Sequence, residues 1–482
     1  MNAADMILPK PRSWHELPGV SHCSTAKINW LEASDTNLEA AAVINRALAG
    51  VGQKPLPVIA RTNLGCRNRI SLQLCKTLSK EDYVLTLGHD QISIFAGSDA
   101  ALFYGAQSLA QIIGCSAQMG GHELILPAGV IEDGPRFQWR GFMLDSARHF
   151  QPKKIIFEIL DRMAEYKLNI FHWHFVDRQG WRPIFNSAPE LATQLPESRS
   201  YSHGTYSLDD LKEIRDYAAS RFITVIPELE MPGHSAAVFL THPELACPLE
   251  TKPFDVDVWE YCLGNPEVPV FLKKLLKEIA DIFVNSPVIH IGGDEAGTSR
   301  WHVCPKCQQA IQKGKLNNER ELEHHFMTQM AQFVEDLGRE PMSWGTKESD
   351  GFSGKMILQD WLGNGDTTRF VRNGNRVVSS VHTCNYFDYP YGDFEPVVDW
   401  QKKIYEFEPV PAELSADESK FVLGGEGCLW TEQIPFQRVL PRTIPRMRAL
   451  AEMLWTSSSL KNFESFLLRE RLITCSGLFR YC

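Results

Sequence analysis

Two adjacent carboxylates, Asp294 and Glu295, follow a short apolar run at residues 288–291 and a pair of glycines. The β-branched residues of that run are typical of a buried strand, and the glycines permit a tight turn or the close approach of a ligand. Three other acidic doublets lie in polar surroundings, where a solvated surface pair is the ordinary interpretation. Here an apolar strand carries the pair toward the interior, and burial is what tunes a carboxylate for proton transfer.

The elements that must position this pair follow from the hydrophobic pattern. From residue 139 onward, strand-like runs alternate with amphipathic helices, which predicts parallel βα units. The strand-like runs are residues 141–144, 170–175, 224–229, 288–291, 341–344, 356–359, 376–381 and 421–424, and helical spacing occurs at 152–166, 208–220, 268–283 and 318–337. Eight such units in a segment of this length predict a (β/α)8 TIM barrel, the catalytic domain, over residues 136–482.

A small α/β support domain is predicted ahead of the barrel, over residues 1–135. Its strand-like runs are residues 57–59, 70–74, 83–87 and 92–96, and a helical face follows at residues 100–113. The turn formed by Asp133, Gly134 and Pro135 marks the boundary between the two domains. Residue types suited to catalysis are not concentrated in this part of the chain.

Polar and aromatic side chains collect where the predicted barrel strands end, which is the face where barrel enzymes hold their active sites. They are Asp145, Arg148, His174, Asp177, Glu230, His234, Asp294, Glu295, Trp344, Asp360, Trp361, Tyr386, Asp388, Glu426, Trp430 and Glu432. Aromatic faces stack on the apolar faces of sugar rings, while carboxylates and arginine bind hydroxyl groups. A single tryptophan is more often a core residue, but three at successive strand ends favour a carbohydrate site.

Composition excludes several other classes of function. The formal net charge of -10 argues against a nucleic-acid or anionic-membrane partner as the main function. No run approaches the 18 apolar residues or so of a membrane span, and residues 1–15 lack the basic and apolar regions of a signal peptide. Localisation, export included, is left open. A phosphate-cradling glycine loop, a dinucleotide fingerprint and a nucleophile elbow are also missing.

Two features raise the alternative of a metal site. Cys304 and Cys307 have zinc-knuckle spacing, but no second pair lies at the usual distance along the chain, so a structural turn opening the next helix is the preferred interpretation. His172 and His174 could bind zinc from one strand, but a core histidine with satisfied hydrogen bonds is the commoner case. The scattered cysteines fit reduced thiols in a large chain better than a disulfide framework.

Nearly the whole chain resembles glycoside hydrolase family 20, the β-N-acetylhexosaminidases. The motifs that carry the resemblance are WRGFMLD at 139–145, HFVD at 174–177 with GWR at 180–182, EMPGH at 230–234, HIGGDE at 290–295, QDW at 359–361, YFD at 386–388 and GEGCLWTE at 425–432. The segment FYGAQSL at 103–109 is similar to a helix in the N-terminal domain of that family. Their order and barrel-strand spacing make the set specific.

The resemblance implies a retaining, substrate-assisted mechanism, in which the 2-acetamido oxygen of the substrate attacks the anomeric carbon. Glu295 would act as general acid and then as general base, with its pKa raised toward the working pH. Asp294 would hold the acetamide N–H and stabilise the developing positive charge. His234 and Asp177 would form a relay behind Glu295.

The resemblance also implies a set of sugar-binding residues. Arg140 would bind the O3 and O4 hydroxyls of the terminal sugar. The acetamide pocket would be walled by Trp344, Trp361 and Trp430. Tyr386 would donate a hydrogen bond to the acetamide oxygen, and Asp388 and Glu432 would reach the O4 and O6 side. No metal ion or organic cofactor is implied, and the implied partner is a glycan that ends in an N-acetylhexosamine.

The loop after Trp344 departs from the family pattern. An acidic residue usually stands two positions after this tryptophan, whereas here the sequence continues Gly345, Thr346 and Lys347. A solvated loop lysine is one interpretation. The other is that Lys347 binds an anionic substituent such as the 6-sulfate of N-acetylglucosamine, which would direct the protein to sulfated glycans such as mucins.

Three further hypotheses remain open. A barrel glycosidase could use a covalent intermediate and act on sugars that lack the acetamido group. A lacto-N-biosidase would need only a longer binding pocket in order to release a disaccharide. A carbohydrate-binding protein without catalysis is disfavoured by the complete set of proton-transfer residues. Epimer preference, linkage and oligomeric state do not follow from the sequence.

Overall fold

A computed structural model describes the chain at residues 2–19, 22–60, 67–118, 124–192, 203–248, 259–352, 355–390 and 397–476. Two sheets organise it. The first belongs to the N-terminal part, and the second is a closed barrel of eight parallel strands. Among the described helices none is long and apolar enough to cross a membrane.

The N-terminal sheet has seven strands in the order β1-β9-β6-β7-β5-β3-β4, and β2 pairs separately with β8. The strands are β1 (Ser13–Glu16), β2 (His22–Ser24), β3 (Trp30–Glu32), β4 (Val58–Ile59), β5 (Arg69–Leu74), β6 (Tyr83–Leu87), β7 (Gln91–Ala96), β8 (Ile125–Pro127) and β9 (Gly129–Asp133). Two helices that pack on each other, α1 (Leu38–Gly50) and α2 (Asp99–Gln118), accompany the sheet. Residues 101–116 of α2 are all buried, because most of its side chains are apolar or small, and buried polar ones such as Ser108 and Gln111 have hydrogen-bond partners.

The barrel begins six residues after β9 and closes when its first strand pairs with both its second and its last. Its strands are β10 (Trp139–Asp145), β11 (Ile170–His174), β14 (Thr224–Glu228), β15 (Val288–His290), β16 (Glu340–Gly345), β17 (Ile357–Asp360), β18 (Val377–Ser379) and β19 (Val422–Leu429); a short pair, β12 (Val176–Asp177) and β13 (Gly180–Trp181), follows β11. The helices are α3 (Lys153–Glu165), α4 (Leu208–Ala219), α5 (Glu267–Ile282), α6 (Ser299–Val303), α7 (Pro305–Gly314), α8 (Glu319–Asp336), α9 (Asp366–Arg372), α10 (His382–Asn385), α11 (Val397–Glu406), α12 (Phe436–Trp455) and α13 (Phe463–Cys475).

The barrel interior is built in layers. One buried apolar cluster takes a single residue from each of the eight strands: Trp139, Ile170, Ile226, Val288, Met342, Ile357, Val378 and Leu423. Side chains alternate along a strand, so residues two positions further on return to the same face, nearer the carboxyl end. Those residues include His172, Glu228, His290, Trp344 and Gln359, which are buried and mostly polar. The apolar layer therefore forms the floor on which the strand-end side chains stand.

The prediction of a (β/α)8 barrel with a preceding α/β domain is confirmed. All eight predicted barrel strands and the four predicted helices overlap observed elements. In the N-terminal part, the helix α1 and the strands β1 to β3, β8 and β9 were not predicted. Helix α1 is rich in alanine and short in large apolar residues, which weakens the periodic signal on which such predictions depend.

Candidate active site

The loop after β15 places the carboxylate doublet at the centre of the barrel mouth. Gly292 and Gly293 have φ angles of 65° and 106°, which side chains rarely allow. A Cβ atom on Gly292 would lie 2.1 Å from an oxygen of Glu230, and one on Gly293 would lie 2.2 Å from the Ser343 hydroxyl. Both positions therefore require glycine. Glu295 itself has a φ of 51°, a strained value for a residue with a side chain.

The two carboxylates differ in exposure. The Asp294 side chain is 13% exposed and the Glu295 side chain 49% exposed. Burial raises the pKa of Asp294 to about 6, and the charges of Glu295 and Glu228 act in the same direction. A hydrogen bond from His234 lowers the pKa of Glu295. The turn at 295 thus separates an enclosed carboxylate from one at the open rim.

His234 connects the doublet to a chain of buried charges. Its Nε2 lies 3.5 Å from Glu295 and 4.0 Å from Asp294, and its Nδ1 lies 3.2 Å from Asp177. Burial alone would lower the pKa of His234, but Asp177 and Asp294 raise it well above its ordinary value. The imidazole is therefore a cation held between carboxylates, a placement suited to moving or orienting a proton.

Arg148 lies at the far end of this series of buried charges. It lies 2.7 Å from Asp177, 3.3 Å from Asp145 and 3.6 Å from Glu432, and its guanidinium lies over the ring of Trp430. Burial would raise the pKa of Asp177, but Arg148 and His234 lower it well below its ordinary value. Asp177 is consequently a permanent anion behind His234.

An aromatic wall stands beside Asp294. Trp344 is buried and donates from Nε1 to Glu228 at 2.7 Å. Its ring centroid lies 5.6 Å from that of Trp430, which in turn lies 5.9 Å from Tyr386. Trp361 packs against the same small cluster and, like Trp430, is only partly buried. The wall is apolar on its faces and carries few polar atoms, as a site that binds one face of a small ring requires.

Beneath the wall, Glu228 lies at the centre of the buried polar side chains of the barrel and contacts several of them. It bonds His174, lies 3.2 Å from His172 and 3.0 Å from His290, and accepts from Trp344. Burial opposes ionisation of Glu228, yet the histidines lower its pKa well below the ordinary value. Three His–carboxylate groups here have donor atoms close enough for a metal ion: His172, Glu228 and His290; His174, Asp177 and Glu230; and His234, Asp294 and Glu295. In each group a histidine nitrogen already lies within 4.0 Å of a carboxylate oxygen.

Comparison with known proteins identifies the family. The model of the glycosyl hydrolase family 20 catalytic domain matches residues 137–458, and that of domain 2 of the same family matches residues 5–134. The chain belongs to glycosyl hydrolase family 20. The predicted resemblance is confirmed, as is the prediction of a glycoside hydrolase of this family.

Curated relatives and solved structures of family 20 agree with this placement. A β-hexosaminidase of Akkermansia muciniphila is 31% identical over 85% of this chain and 87% of its own length. One of Porphyromonas gingivalis is 34% identical over 83% of this chain, which spans about half of that relative (54%). The exo-β-N-acetylglucosaminidase of Vibrio harveyi, solved with N-acetylglucosamine, has a TM-score of 0.86 at 27% identity, covering 99% of this chain and 77% of that one.

One residue predicted for the family 20 site lies elsewhere. Arg140 is fully buried near the amino end of β10, where it bonds Glu81, Tyr104 and the carbonyl oxygens of Phe137 and Lys167. These contacts hold its guanidinium against the N-terminal domain, at the end of the barrel opposite the doublet. The prediction that Arg140 binds the sugar is therefore wrong.

Arg148, three residues beyond the end of β10, does lie at the mouth of this family 20 barrel, where it contacts Asp177 and Glu432. Because barrel sites form at the carboxyl ends of strands, Arg148 is the better candidate, whereas Arg140 lies near the amino end of the same strand.

The remaining predicted residues lie at the carboxyl ends of the barrel strands. Asp388 is buried and its charge acts on Arg446. Glu432 is partly exposed beside Arg148, and Lys347 begins the 3-10 helix Lys347–Gly351 as an exposed side chain.

The raised pKa of Asp294 makes a prediction about stability in this family 20 chain. The pKa of this carboxyl is raised on folding, here from 3.8 to about 6. It therefore leaves the free energy of unfolding unchanged below pH 3.8 and lowers it by the full amount above pH 6. Asp294→Asn should therefore stabilise the protein above pH 6, by about 3 kcal/mol at most. Urea unfolding at pH 8 and at pH 4.5 should show a gain that shrinks at the lower pH. A gain equal at both values, or none, would contradict the assigned burial of this charge.

Proposed function

We propose that the chain is an exo-acting, retaining β-N-acetylhexosaminidase that releases terminal β-linked N-acetylglucosamine or N-acetylgalactosamine by substrate-assisted catalysis. The observation that carries the proposal is the division within the doublet. Asp294 is enclosed and its charge acts on Tyr386 of the aromatic wall, whereas Glu295 stands at the rim with His234 behind it. An enclosed carboxylate can bind a group buried with it, and a rim carboxylate can reach a leaving group.

The chemistry then proceeds in two steps. Glu295 gives a proton to the glycosidic oxygen as the bond from C1 to that oxygen breaks, and the acetamido oxygen of the same sugar bonds to C1. The resulting oxazolinium cation is stabilised by the anion of Asp294 next to the acetamide nitrogen. Glu295, now ionised, takes a proton from water. This water attacks C1, and the bond from C1 to the acetamido oxygen breaks, which opens the oxazolinium ring. Two inversions at C1 give net retention.

The aromatic wall has a separate task in this proposal. The acetamido oxygen is a weak nucleophile that competes with water for C1. Trp344, Trp361 and Trp430, with Tyr386, leave little room for water around an acetamide and hold it in a reactive position. The Tyr386 hydroxyl is buried, and burial raises its pKa well above the ordinary value, so it stays protonated and can donate to the acetamido oxygen.

The pKa of Glu295 must rise before this residue can act as the general acid. A general acid must be protonated at working pH, but in the open site His234 lowers the pKa of this carboxyl. We infer that the bound aglycone covers the exposed side chain and removes water from it, which raises the pKa. The pH dependence of kcat, which reports the bound state, should then show a higher pKa for the acid than that of kcat/KM.

Paired aryl glycosides test the proposal. We expect 4-nitrophenyl β-glycosides of N-acetylglucosamine and N-acetylgalactosamine to be cleaved, and the β-glucoside to be inert because it lacks the attacking acetamide. Comparable turnover of the glucoside would indicate a covalent enzyme intermediate instead. Release from a lacto-N-biose glycoside alone would indicate a disaccharide-releasing enzyme, and binding without turnover of any glycoside would leave a carbohydrate-binding protein.

Preference for a 6-sulfated sugar is a narrower proposal that depends on Lys347. Its ammonium group lies three residues beyond Trp344 and 3.8 Å from Glu348, and its side chain is 80% exposed. Asp388, which the proposal assigns to the O6 side, interacts electrostatically with Arg446, and this nearby cation would weaken the repulsion between Asp388 and a sulfate.

If Lys347 binds sulfate, Lys347→Ala should lower kcat/KM for the 6-sulfated aryl glycoside by a few-fold, consistent with roughly 1 kcal/mol for an exposed ion pair. Turnover of the plain glycoside should not change. Lys355→Ala, an exposed lysine beside Glu335, is the matched control. An unchanged ratio between the two substrates would make Lys347 an ordinary surface residue.

A further inference from the structure

Four cysteines that are distant in sequence meet at one point beside the active-site loops. Cys247 and Cys262 follow β14, while Cys304 and Cys307 follow β15. All four side chains are buried, with at most 4% exposure. Their sulfur atoms all lie within 4.8 Å of one another. The pair missing from the sequence pattern is therefore supplied by a different loop.

The distances between the sulfur atoms have a specific meaning. They are 3.8 Å between Cys247 and Cys307, 3.7 Å between Cys262 and Cys304, and 3.8 Å between Cys262 and Cys307. A tetrahedron of sulfur atoms around Zn²⁺, with bonds of about 2.3 Å, has edges of about 3.8 Å. A disulfide would bring two sulfur atoms to about 2.0 Å. The three separations match edges of that tetrahedron, and the other pairs of sulfur atoms lie within 4.8 Å.

The backbone around the cluster has the shape that a metal knuckle needs. Residues 304–307 have the sequence CPKC. Pro305 opens helix α7 between the two cysteines of this CPKC segment, so Cys304 caps the helix and Cys307 lies in its first turn. On the other loop, a Cβ atom at Gly264 would lie 2.2 Å from the carbonyl group of Lys306. Glycine is required there because the two segments of the chain approach so closely. That close approach brings Cys262 to the CPKC segment.

Ordinary packing does not account for this convergence. The surrounding side chains, Trp301, Ile311 and Leu322, enclose the sulfur atoms in an apolar shell. Thiols are weak hydrogen-bond donors and gain little from one another. Of the six other described cysteines, none belongs to a group that could hold a metal ion. Four thiolates in tetrahedral geometry are, in contrast, the ligand set of structural zinc.

We propose that Cys247, Cys262, Cys304 and Cys307 bind one structural Zn²⁺ ion, which fastens the loop after β14 to the loop after β15. The first loop carries His234 and the second carries Asp294 and Glu295. Hydrogen bonds already join them: Gly297 N–H donates to Glu260 at 3.0 Å, and Trp301 Nε1 donates to the Tyr261 carbonyl oxygen at 2.9 Å. The metal would lock a junction on which the distance from His234 to Glu295 depends.

Metal analysis of the purified wild-type chain is the first test. Expression in zinc-supplemented medium, followed by desalting, should give one zinc per chain by inductively coupled plasma mass spectrometry. Exchange with Co²⁺ should produce the thiolate charge-transfer band and the intense visible bands of a tetrahedral sulfur site. Chain without zinc or with stoichiometric iron, or non-reducing peptide mapping that finds these cysteines in disulfides, would overturn the proposal.

Substitution locates the metal and measures its effect. Cys304→Ser should lose the cobalt spectrum and most of the zinc, and its Tm should no longer respond to added Zn²⁺. Cys115→Ser, at a buried cysteine outside the cluster, should keep all three properties. Equal zinc content in the two variants would overturn the assignment. If Cys304→Ser does not fold, the zinc content and the cobalt spectrum of the wild-type chain still decide.

Discussion

Asp294→Asn is expected to lower kcat by about 10²- to 10³-fold, the loss typical of removing one preorganised electrostatic partner from a transition state. The amide keeps the shape of the side chain and can still hydrogen-bond a bound acetamide, so the KM for the aryl N-acetylglucosaminide should change little. What disappears is the negative charge next to the oxazolinium cation. That charge is enclosed, 13% exposed, where water screens it weakly.

The pH profile provides an independent check on the same variant. In the wild-type chain, kcat/KM should fall as the pH drops below about 6, because Asp294 then becomes protonated and neutral. Asp294→Asn should lose that limb along with most of its activity. Asp336→Asn, at the exposed last residue of α8, is the control that should change neither. An Asp294→Asn variant that retains near-wild-type kcat would remove the substrate-assisted mechanism.

Glu295→Ala is expected to have an effect that depends on the leaving group. A poor leaving group such as a second sugar needs the proton, so cleavage of a chitobiose-type substrate should fall by about 10²- to 10⁴-fold. An activated nitrophenyl leaving group departs without much protonation, so its first step should lose far less. The second step still lacks its base and becomes rate-limiting.

Azide distinguishes this mechanism from a general disturbance of the site. The anion needs no base, so it should restore turnover of the nitrophenyl substrate by Glu295→Ala and form the β-glycosyl azide. Because Glu295 is half exposed, there is space for a small anion at the rim. Glu335→Ala, on the surface of α8, should behave as wild type. An α-azide product, or equal losses for both leaving groups, would show that Glu295 is not the acid and base.

The sequence predicted the barrel well, because its strands are continuous apolar runs and its polar residues come directly after them. The two arginines of the first barrel strand lie at opposite ends of it. Arg140 stands at the start of β10 and Arg148 just past its end, and only the carboxyl end of the strand opens on the site. The motif shared with the family contains Arg140, but a motif does not by itself tell which end of the strand faces the substrate.

Two other features could not be predicted from local pattern. Asp294 and Glu295 are neighbours of the same charge, yet the Asp294 side chain is 13% exposed and that of Glu295 49% exposed, with Glu295 at a positive φ of 51°. The residue type does not predict such a backbone angle for glutamate. Similarly, Cys262 and Cys304 lie 42 residues apart, and only the adjacency of β14 and β15 brings their loops together. Contacts of this kind arise from tertiary structure, which spacing along the chain does not encode.

The contacts at the amino end of the barrel decide what a shortened chain could do. Asp133, the last residue of β9, accepts from Trp455 at 2.9 Å and pairs with the fully buried Lys167 at 3.3 Å. Glu81 pairs in the same way with the buried Arg140. Cutting at residue 135 would remove the two anions that face these cations and expose the end of the barrel that the N-terminal domain covers. The N-terminal domain therefore supplies the counter-charges for two buried cations of the barrel, and a chain shortened at this point is expected to be less stable than the whole chain.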